Sequence, residues 1–190
     1  MSATETRFVG QSVLRREDGP LLTGRGTFVD NIQLPGMVHM IVVRSPYAHA
    51  RIRSVNLEAA RAAEGVVAAF AAADLQDEWK APMPCAWPVT EDMKNPPHYP
   101  LAGSEACFQG DGVAVVLATS KALAKDAAEL VEVDYEPLPA AVDVWESAQD
   151  GATLAHEDLE SNVSYVWKLA TDDVDKAFAD ADVTVASFHT

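Results

Sequence analysis

Apolar positions in this chain come mostly as short blocks or alternating runs, with the regular helical spacing that matters most near residue 125. Val113–Ala118 is a continuous apolar run of the kind that fills a buried strand. Thr119 or Ser120 offers an N-cap. Leu123, Ala127 and Leu130 then recur at i, i+4 and i+7 within Lys121–Leu130, which predicts one apolar helix face, with Lys121, Lys125, Asp126 and Glu129 opposite. Val131, Val133 and Tyr135 alternate with Glu132 and Asp134, the pattern of a half-buried strand that Pro137 and Pro139 end. Residues 113–135 thus predict strand, helix, strand, about the size of a minimal crossover, with the helix facing a sheet.

Weaker patterns surround this unit. Gly10, Gly19-Pro20, Gly24 and Gly26 make the first thirty residues rich in turns. Thr27–Ile32 and Met37–Val43 read as strands joined by Leu34-Pro35-Gly36. Proline sets φ at the second turn position and glycine accepts a positive φ at the third, so Pro35-Gly36 predicts a type II turn and a hairpin or tight strand connection. Arg51–Asn56 is a further strand, Leu57–Ala63 an Ala-rich helix closed by Gly65 at C′, and Val66–Phe70 the strand after it. Asp172 or Asp173 caps a last helix with Val174, Ala177, Phe178 and Ala181 on one face, and Val183–Phe188 is a last strand. The fold class is α+β, or mixed α/β.

Residues 76–104 interrupt the regular pattern. Pro82, Pro84, Pro88, Pro96, Pro97 and Pro100 each remove a backbone donor and restrict the preceding residue, which excludes a long helix or a central strand. A loop of this length carrying Trp79 and Trp87 either folds its tryptophans onto its own core or packs against a neighbour.

Composition narrows the function classes. The 190 residues fit one domain or at most two small ones, and 48% hydrophobic with 23% charged residues is a globular balance. With 14 Lys+Arg against 29 Asp+Glu the net charge is −15, which disfavours phosphate backbones and anionic membranes as partners. No apolar run approaches the roughly 20 residues of a membrane span. Met1–Gly10 lacks the apolar core of a secretion signal, and Cys85 and Cys107 allow one disulfide but read first as two buried or free thiols of a reducing compartment, so a cytoplasmic location is expected. Two thiols are too few for a four-thiolate iron–sulfur cluster, and His39, His49, His98, His156 and His189 show no ligand spacing.

Candidate chemistry is sparse. Gly24-Arg25-Gly26 lacks the third glycine of a dinucleotide fingerprint, and Phe108-Gln109-Gly110-Asp111-Gly112 precedes a strand instead of opening a helix, so both read as turns. The pairs Glu91/Asp92 and Asp172/Asp173 are explained by solvated charge or capping. The densest polar stretch is Arg44-Ser45-Pro46-Tyr47-Ala48-His49-Ala50-Arg51, a loop between strands. It suits an interface, or a packed loop whose arginines pair with the acidic surface and whose histidine is buried.

Several ordered segments carry a family resemblance. They are Gly10-Gln11-Ser12, Arg16-Glu17-Asp18, Leu22-Thr23-Gly24, Phe28-Val29-Asp30, Leu34-Pro35-Gly36-Met37, the Arg44–Ile52 stretch, Pro97–Ala102, Gly112–Val116 and Ala127–Pro139. In this order and register they resemble the start of molybdenum hydroxylase large subunits, the xanthine dehydrogenase, aldehyde oxidase and aerobic carbon monoxide dehydrogenase family. Trp87-Pro88-Val89-Thr90 and Pro96–Ala102 lean towards the carbon monoxide dehydrogenase-like branch. Two departures stand out: Gly112 where the family often has Pro, and Cys107-Phe108-Gln109 in place of Arg/Val-Tyr/Phe-Val.

The resemblance runs from about residue 7 to 188 and implies a single α/β hammerhead domain over 1–190. Its core spans about 7–145, and an extension over about 146–190 carries one helix and one strand. It implies the N-terminal structural domain, or a split subunit, of a molybdopterin-dependent oxidoreductase that supports the cofactor domain and subunit assembly. The family's molybdenum ligands, cofactor loops and catalytic glutamate lie beyond the matched region, so no catalytic, cofactor-binding or metal-ligating residue is expected in this chain, which alone should be inactive. The whole complex would carry molybdopterin cytosine dinucleotide, 2Fe–2S clusters and FAD. Its partners would be a molybdopterin-binding domain or chain, an iron–sulfur subunit and an FAD subunit, with no nucleic acid and no membrane span. The alternative is a free-standing protein-interaction module without redox activity.

Overall fold

The computed structural model describes residues 9–171 and 173–187. Two compact units divide the chain, Met1–Met37 and Val38–Thr190. In the first, a short helix α1 (Asp18–Leu22) has Pro20 in its first turn, where the missing N–H costs nothing. The strand expected over Thr27–Ile32 is instead a 3-10 turn at Val29–Asn31. Its cause is local: the Asn31 Oδ1 accepts the Phe28 N–H at 3.0 Å, and this side-chain bond displaces extended pairing. The Pro35-Gly36 turn is present, with the Met37 N–H on the Leu34 carbonyl at 3.1 Å and Gly36 at φ 76°. It joins no hairpin, because no strand precedes it among the described residues.

The second unit runs β1 (His39–Arg44), β2 (Ala50–Asn56), α2 (Glu58–Ala62), β3 (Val66–Ala71), α3 (Ala72–Leu75), β4 (Glu105–Ala106), β5 (Gly112–Ala118), α4 (Lys121–Ala128), β6 (Glu132–Pro137), α5 (Val144–Ser147) and α6 (Val174–Ala179). Six strands form two antiparallel three-stranded sheets, β1-β5-β3 and β4-β2-β6. The mixed α/β class stands. The strand, helix and strand expected over 113–135 are all present, but β5 and β6 lie in different sheets, so the unit bridges two sheets and is not a crossover within one. Sequence periodicity specifies each element's buried face but not its hydrogen-bond partner, which is why the pairing was not readable.

The alternation of β5 explains how one strand serves both layers. Ala114 and Val116 point into a core with Leu57, Ala60, Ala69, Ala71 and Ala127, while Val113 points the other way onto Ile52 and Ala106. Among the described residues Val113 and Val116 are the largest side chains that are fully buried, and most of the rest is alanine. Small residues let α4 and α2 approach the sheet closely.

On α4, Ser120 is the N-cap and its hydroxyl accepts the Leu123 N–H at 3.2 Å, as expected of that position. The helix stops at Ala128, so its buried face is Ala124 and Ala127, and Leu130 lies beyond it at 45% exposure. The expected Leu123–Ala127–Leu130 stripe is therefore corrected at its last member, because a helix two residues shorter turns Leu130 out. Ala127→Asp should cost several kcal/mol, on the order of a buried unpaired charge, whereas Leu130→Asp should stay within about 1 kcal/mol. Denaturant midpoints of the two variants measure this, and equal losses would contradict the observed face.

Gly65 takes φ 74°, but as the third residue of an Ala63–Val66 turn and not at C′ of α2, whose C-cap is Ala63. A side chain there would also meet the Leu123 Cδ1 at 2.5 Å, so the space is committed to that leucine. The free edge of β3 is covered by Arg61, whose guanidinium donates to the Ala69 carbonyl at 2.8 Å and to Asp74 at 2.9 Å. The Ala71 N–H and then this guanidinium hold the Asp74 carboxyl below its ordinary value, despite some opposing burial.

Beyond β6, α5 is capped by Asp143, whose Oδ1 accepts the Trp145 and Glu146 N–H groups at 2.8 Å. The last expected helix is present as α6, with Asp173 at its N-cap but making no side-chain cap bond; Asp172 is outside the described residues. Its anticipated face is not buried, and Phe178 is 65% exposed. Residues 183–187 form no strand, and Phe188 and His189 lie outside the described residues. Alternation alone makes no strand without a neighbour to pair. No helix among the described residues is long and apolar enough to cross a membrane.

Candidate functional site

The Arg44–Arg51 loop is held by its own polar groups. Ser45 is buried and continues the β1–β5 pairing, its N–H on the Asp111 carbonyl and its carbonyl taking the Gly110 N–H, both at 2.8 Å. Its hydroxyl accepts the Tyr47 N–H at 3.1 Å, a local turn that fixes the chain reversal. Arg44 donates to the Gly110 carbonyl at 2.7 Å, and Arg51 bonds Glu136 at 3.1 Å and Glu157 at 3.4 Å. Arg51 and then Arg53 lower the pKa of Glu136 from the ordinary carboxylate range, a solvent-facing effect. Tyr47 leans on Tyr135 with ring centroids 5.3 Å apart. Burial first, then the nearby Asp111 and Tyr47, raise the Tyr135 hydroxyl's pKa, against a lowering bond from Ser45.

His49 is the centre of this arrangement. It is buried, its Nδ1 lies 2.7 Å from the Pro139 carbonyl, and its Nε2 bonds the Glu105 carboxylate. A carbonyl oxygen can only accept, so Nδ1 carries a proton; a carboxylate likewise requires the proton on Nε2. The geometry therefore calls for the imidazolium. Burial alone would push its pKa down, but the Pro139 bond, the Glu105 bond and the charges of Glu105 and Glu157 outweigh it and hold it above 6.5. Of the two open readings of this loop, the packed one describes Arg51 and His49; Arg44 meets a carbonyl in place of an acidic side chain.

Glu105 also lines the wall of a cavity of about 730 Å³, with Trp79, Tyr99, Cys107, Asp111 and His156. Trp79 stacks on Tyr99 at 5.4 Å with 15° between the planes, so this tryptophan folds back, whereas Trp87 is 89% exposed. The 76–104 segment is irregular as expected, with one bridge between Met83 and His98. Cys107 is half-buried with its Sγ 3.7 Å from the His156 Nδ1, and Cys85 is exposed; neither forms a disulfide. Burial, with Glu105, Asp111 and Asp158 nearby, pushes the Cys107 thiol up to about 11, so it is not an activated nucleophile.

The Phe108–Gly112 segment is the turn into β5 that was expected, with Gly110 at φ 96°. Three of its neighbouring N–H groups are already bonded within the chain, Gly110 to Ser45, Asp111 to Phe108 and Cys107 to the Asp111 carboxylate. That carboxylate would repel a phosphate, so this turn does not fit a molybdopterin or flavin pyrophosphate. Glu91 and Asp92 lie exposed in the loop, and Gly24 at φ 69° sits in a turn. No group of three or more His, Cys, Asp or Glu among the described residues could hold a metal ion. Sequence reading missed Glu105 and His156, whose partners His49 and Cys107 lie 56 and 49 residues away, and it placed Asp111 only in a turn.

Residues 23–139 match the family described as "Aldehyde oxidase and xanthine dehydrogenase, a/b hammerhead domain". The carbon monoxide dehydrogenase large chain of Hydrogenophaga pseudoflava is 35% identical over 187 residues, covering 90% of this chain and 22% of that protein. The nicotine 6-hydroxylase large subunit of Paenarthrobacter nicotinovorans is 33% identical, covering 95% of this chain and 22% of that protein. Among solved structures, quinoline 2-oxidoreductase from Pseudomonas putida 86 superposes with a TM-score of 0.71 at 41% identity, over 82% of this chain and 20% of that one. The chain thus spans about a fifth of the length of these relatives.

Proposed function

The chain belongs to the aldehyde oxidase and xanthine dehydrogenase a/b hammerhead family, and from that premise we propose that it is the N-terminal hammerhead part of a molybdenum hydroxylase large subunit. Its work is structural: it supports a cofactor domain and contacts other subunits, and the oxidation itself takes place elsewhere in the assembly. The observation that carries this reading is the likeness over nine-tenths or more of the chain to large subunits of proteins named for carbon monoxide and nicotine. Because those names differ, the substrate is left to the other domains.

In this reading the hammerhead core spans about 7–145, with an extension over about 146–190. Molybdopterin cytosine dinucleotide, 2Fe–2S clusters and FAD belong to neighbouring domains or chains, namely a molybdopterin-binding, an iron–sulfur and an FAD partner, in the cytoplasm. No residue of this chain is assigned to catalysis, cofactor or metal. Two chemical facts support that division: the Gly110 turn is spent on internal bonds beside a carboxylate, and two thiols cannot ligate a four-thiolate cluster.

The exposed apolar side chains support contact with a large neighbour. Trp87, Trp167, Leu169, Phe178 and Val185 all lie open to solvent. Hydrogen exchange on the 190-residue chain, alone and with a cofactor-domain chain from the same source, tests this. The amides of 76–104 and 44–51 should exchange more slowly in the complex. Equal protection in both states would remove the interface role.

A further inference from the structure

The 730 Å³ cavity beside β4 has a chemistry that the hammerhead reading does not use. Its volume lies within the range of small-molecule sites. No lysine or arginine lines it, while Glu105 and Asp111 do. Asp111 is only 6% exposed; one carboxylate oxygen accepts the Cys107 N–H at 3.2 Å, and the other accepts no hydrogen bond among the described residues. That second oxygen is not enclosed by protein, so it is open to accept a donor from a molecule in the cavity. Glu105 already has His49 as its counter-charge, so Asp111 is the uncompensated anion of the two. Trp79 and Tyr99, stacked on each other, also line the cavity, and the quadrupole of such rings attracts cations and favours flat ones. The rise of the Cys107 thiol's pKa, caused first by burial and then by Glu105, Asp111 and Asp158, reports the same negative potential inside the cavity.

We propose that this cavity binds a planar organic cation of the amidinium or guanidinium class, recognised by the Asp111 carboxylate and the Trp79–Tyr99 ring pair. Such a group is flat enough to lie on a ring and carries the donors that the second Asp111 oxygen lacks. The half-buried thiol, protonated at neutral pH, adds no opposing charge. This assignment stands apart from the hammerhead reading, since it concerns only residues of this chain.

The test uses the 190-residue chain with three isosteric probes, benzamidine as the cation, benzamide as the neutral form and benzoate as the anion. Binding is followed by the Trp79 indole resonance, assigned with Trp79→Phe. Benzamidine should bind at least about tenfold more tightly than benzamide, and benzoate should not bind, as expected of one charge-assisted hydrogen bond. Asp111→Asn keeps an acceptor for the Cys107 N–H and should erase the preference for the cation. Equal affinity for the three probes in the unaltered chain would overturn the proposal whether or not that variant folds, and so would an undiminished preference in a folded Asp111→Asn chain. The same titration on a whole large subunit separates two sources of the cation. Retained binding there assigns the cavity to a free ligand, while loss that is restored by removing one facing arginine assigns it to that side chain.

Discussion

Val116→Asp should leave the chain unfolded at room temperature. Val116 is fully buried on the central strand of the first sheet, opposite Ile41 on β1 and Ala69 on β3. Among the described residues it is one of the two largest side chains that are fully enclosed, in a core otherwise dominated by alanine. A carboxylate there has no cation within its cluster, and it must either stay charged in an apolar site or take up a proton at neutral pH. Either costs ~4 kcal/mol or more, against a whole-domain stability of about 5–15 kcal/mol. An alanine-rich core of this kind has little margin. Val116→Ala serves as the milder comparison and should cost about 1–3 kcal/mol through the lost methyl groups and the space they leave. Circular dichroism and denaturant titration of both variants measure this. A cooperative transition for Val116→Asp at the original midpoint would show that β5 is not the buried centre of its sheet.

The second large effect is pH-dependent and centres on His49. The imidazolium ties the loop after β1 to Glu105 on β4 and to the Pro139 carbonyl just past β6. Glu105 and Glu157 are the acidic groups that raise it, with Arg51 facing Glu157 from β2. His49→Ala leaves the Glu105 carboxylate and the Pro139 carbonyl without their donor, at a cost on the order of 2–3 kcal/mol near pH 6. The folded pKa lies above the ordinary 6.5 of the unfolded chain. The stabilisation is therefore complete below about pH 6.5 and is lost as pH rises through the folded value. Melting temperatures between pH 5.5 and 9 should fall on the alkaline side in the unaltered protein, and that His49-linked part should vanish in His49→Ala. Glu105→Gln removes the charge but keeps an acceptor, so the alkaline loss should be smaller and should end at lower pH. Parallel profiles for all three proteins would show that His49 is neutral in the fold.

Residues that act through their nearest neighbours were legible in the sequence. Pro35-Gly36 fixed its own turn, Ser120 its own cap, and the alternation of Val131, Val133 and Tyr135 its own strand, because each rests on sterics or bonds within a few positions. The same locality explains why the prolines of 76–104 excluded regular structure. Where a local bond competed unseen, the reading failed: the Asn31 side chain turned 29–31 into a 3-10 turn, and a strand pattern at 183–187 found no partner.

The sequence by itself thus determined the mixed α/β class, most element positions and, through ordered motifs, the family. Only the tertiary structure decided that β5 and β6 belong to different sheets, that Leu130 faces solvent, and that His49, Glu105, Cys107, Asp111 and His156 converge on one region. The physical reason is range. Backbone sterics, capping and periodicity are written over a few residues. Strand partners and buried charge pairs are fixed by chain closure over tens of residues, and nothing in the local pattern at His49 names Glu105 as its partner.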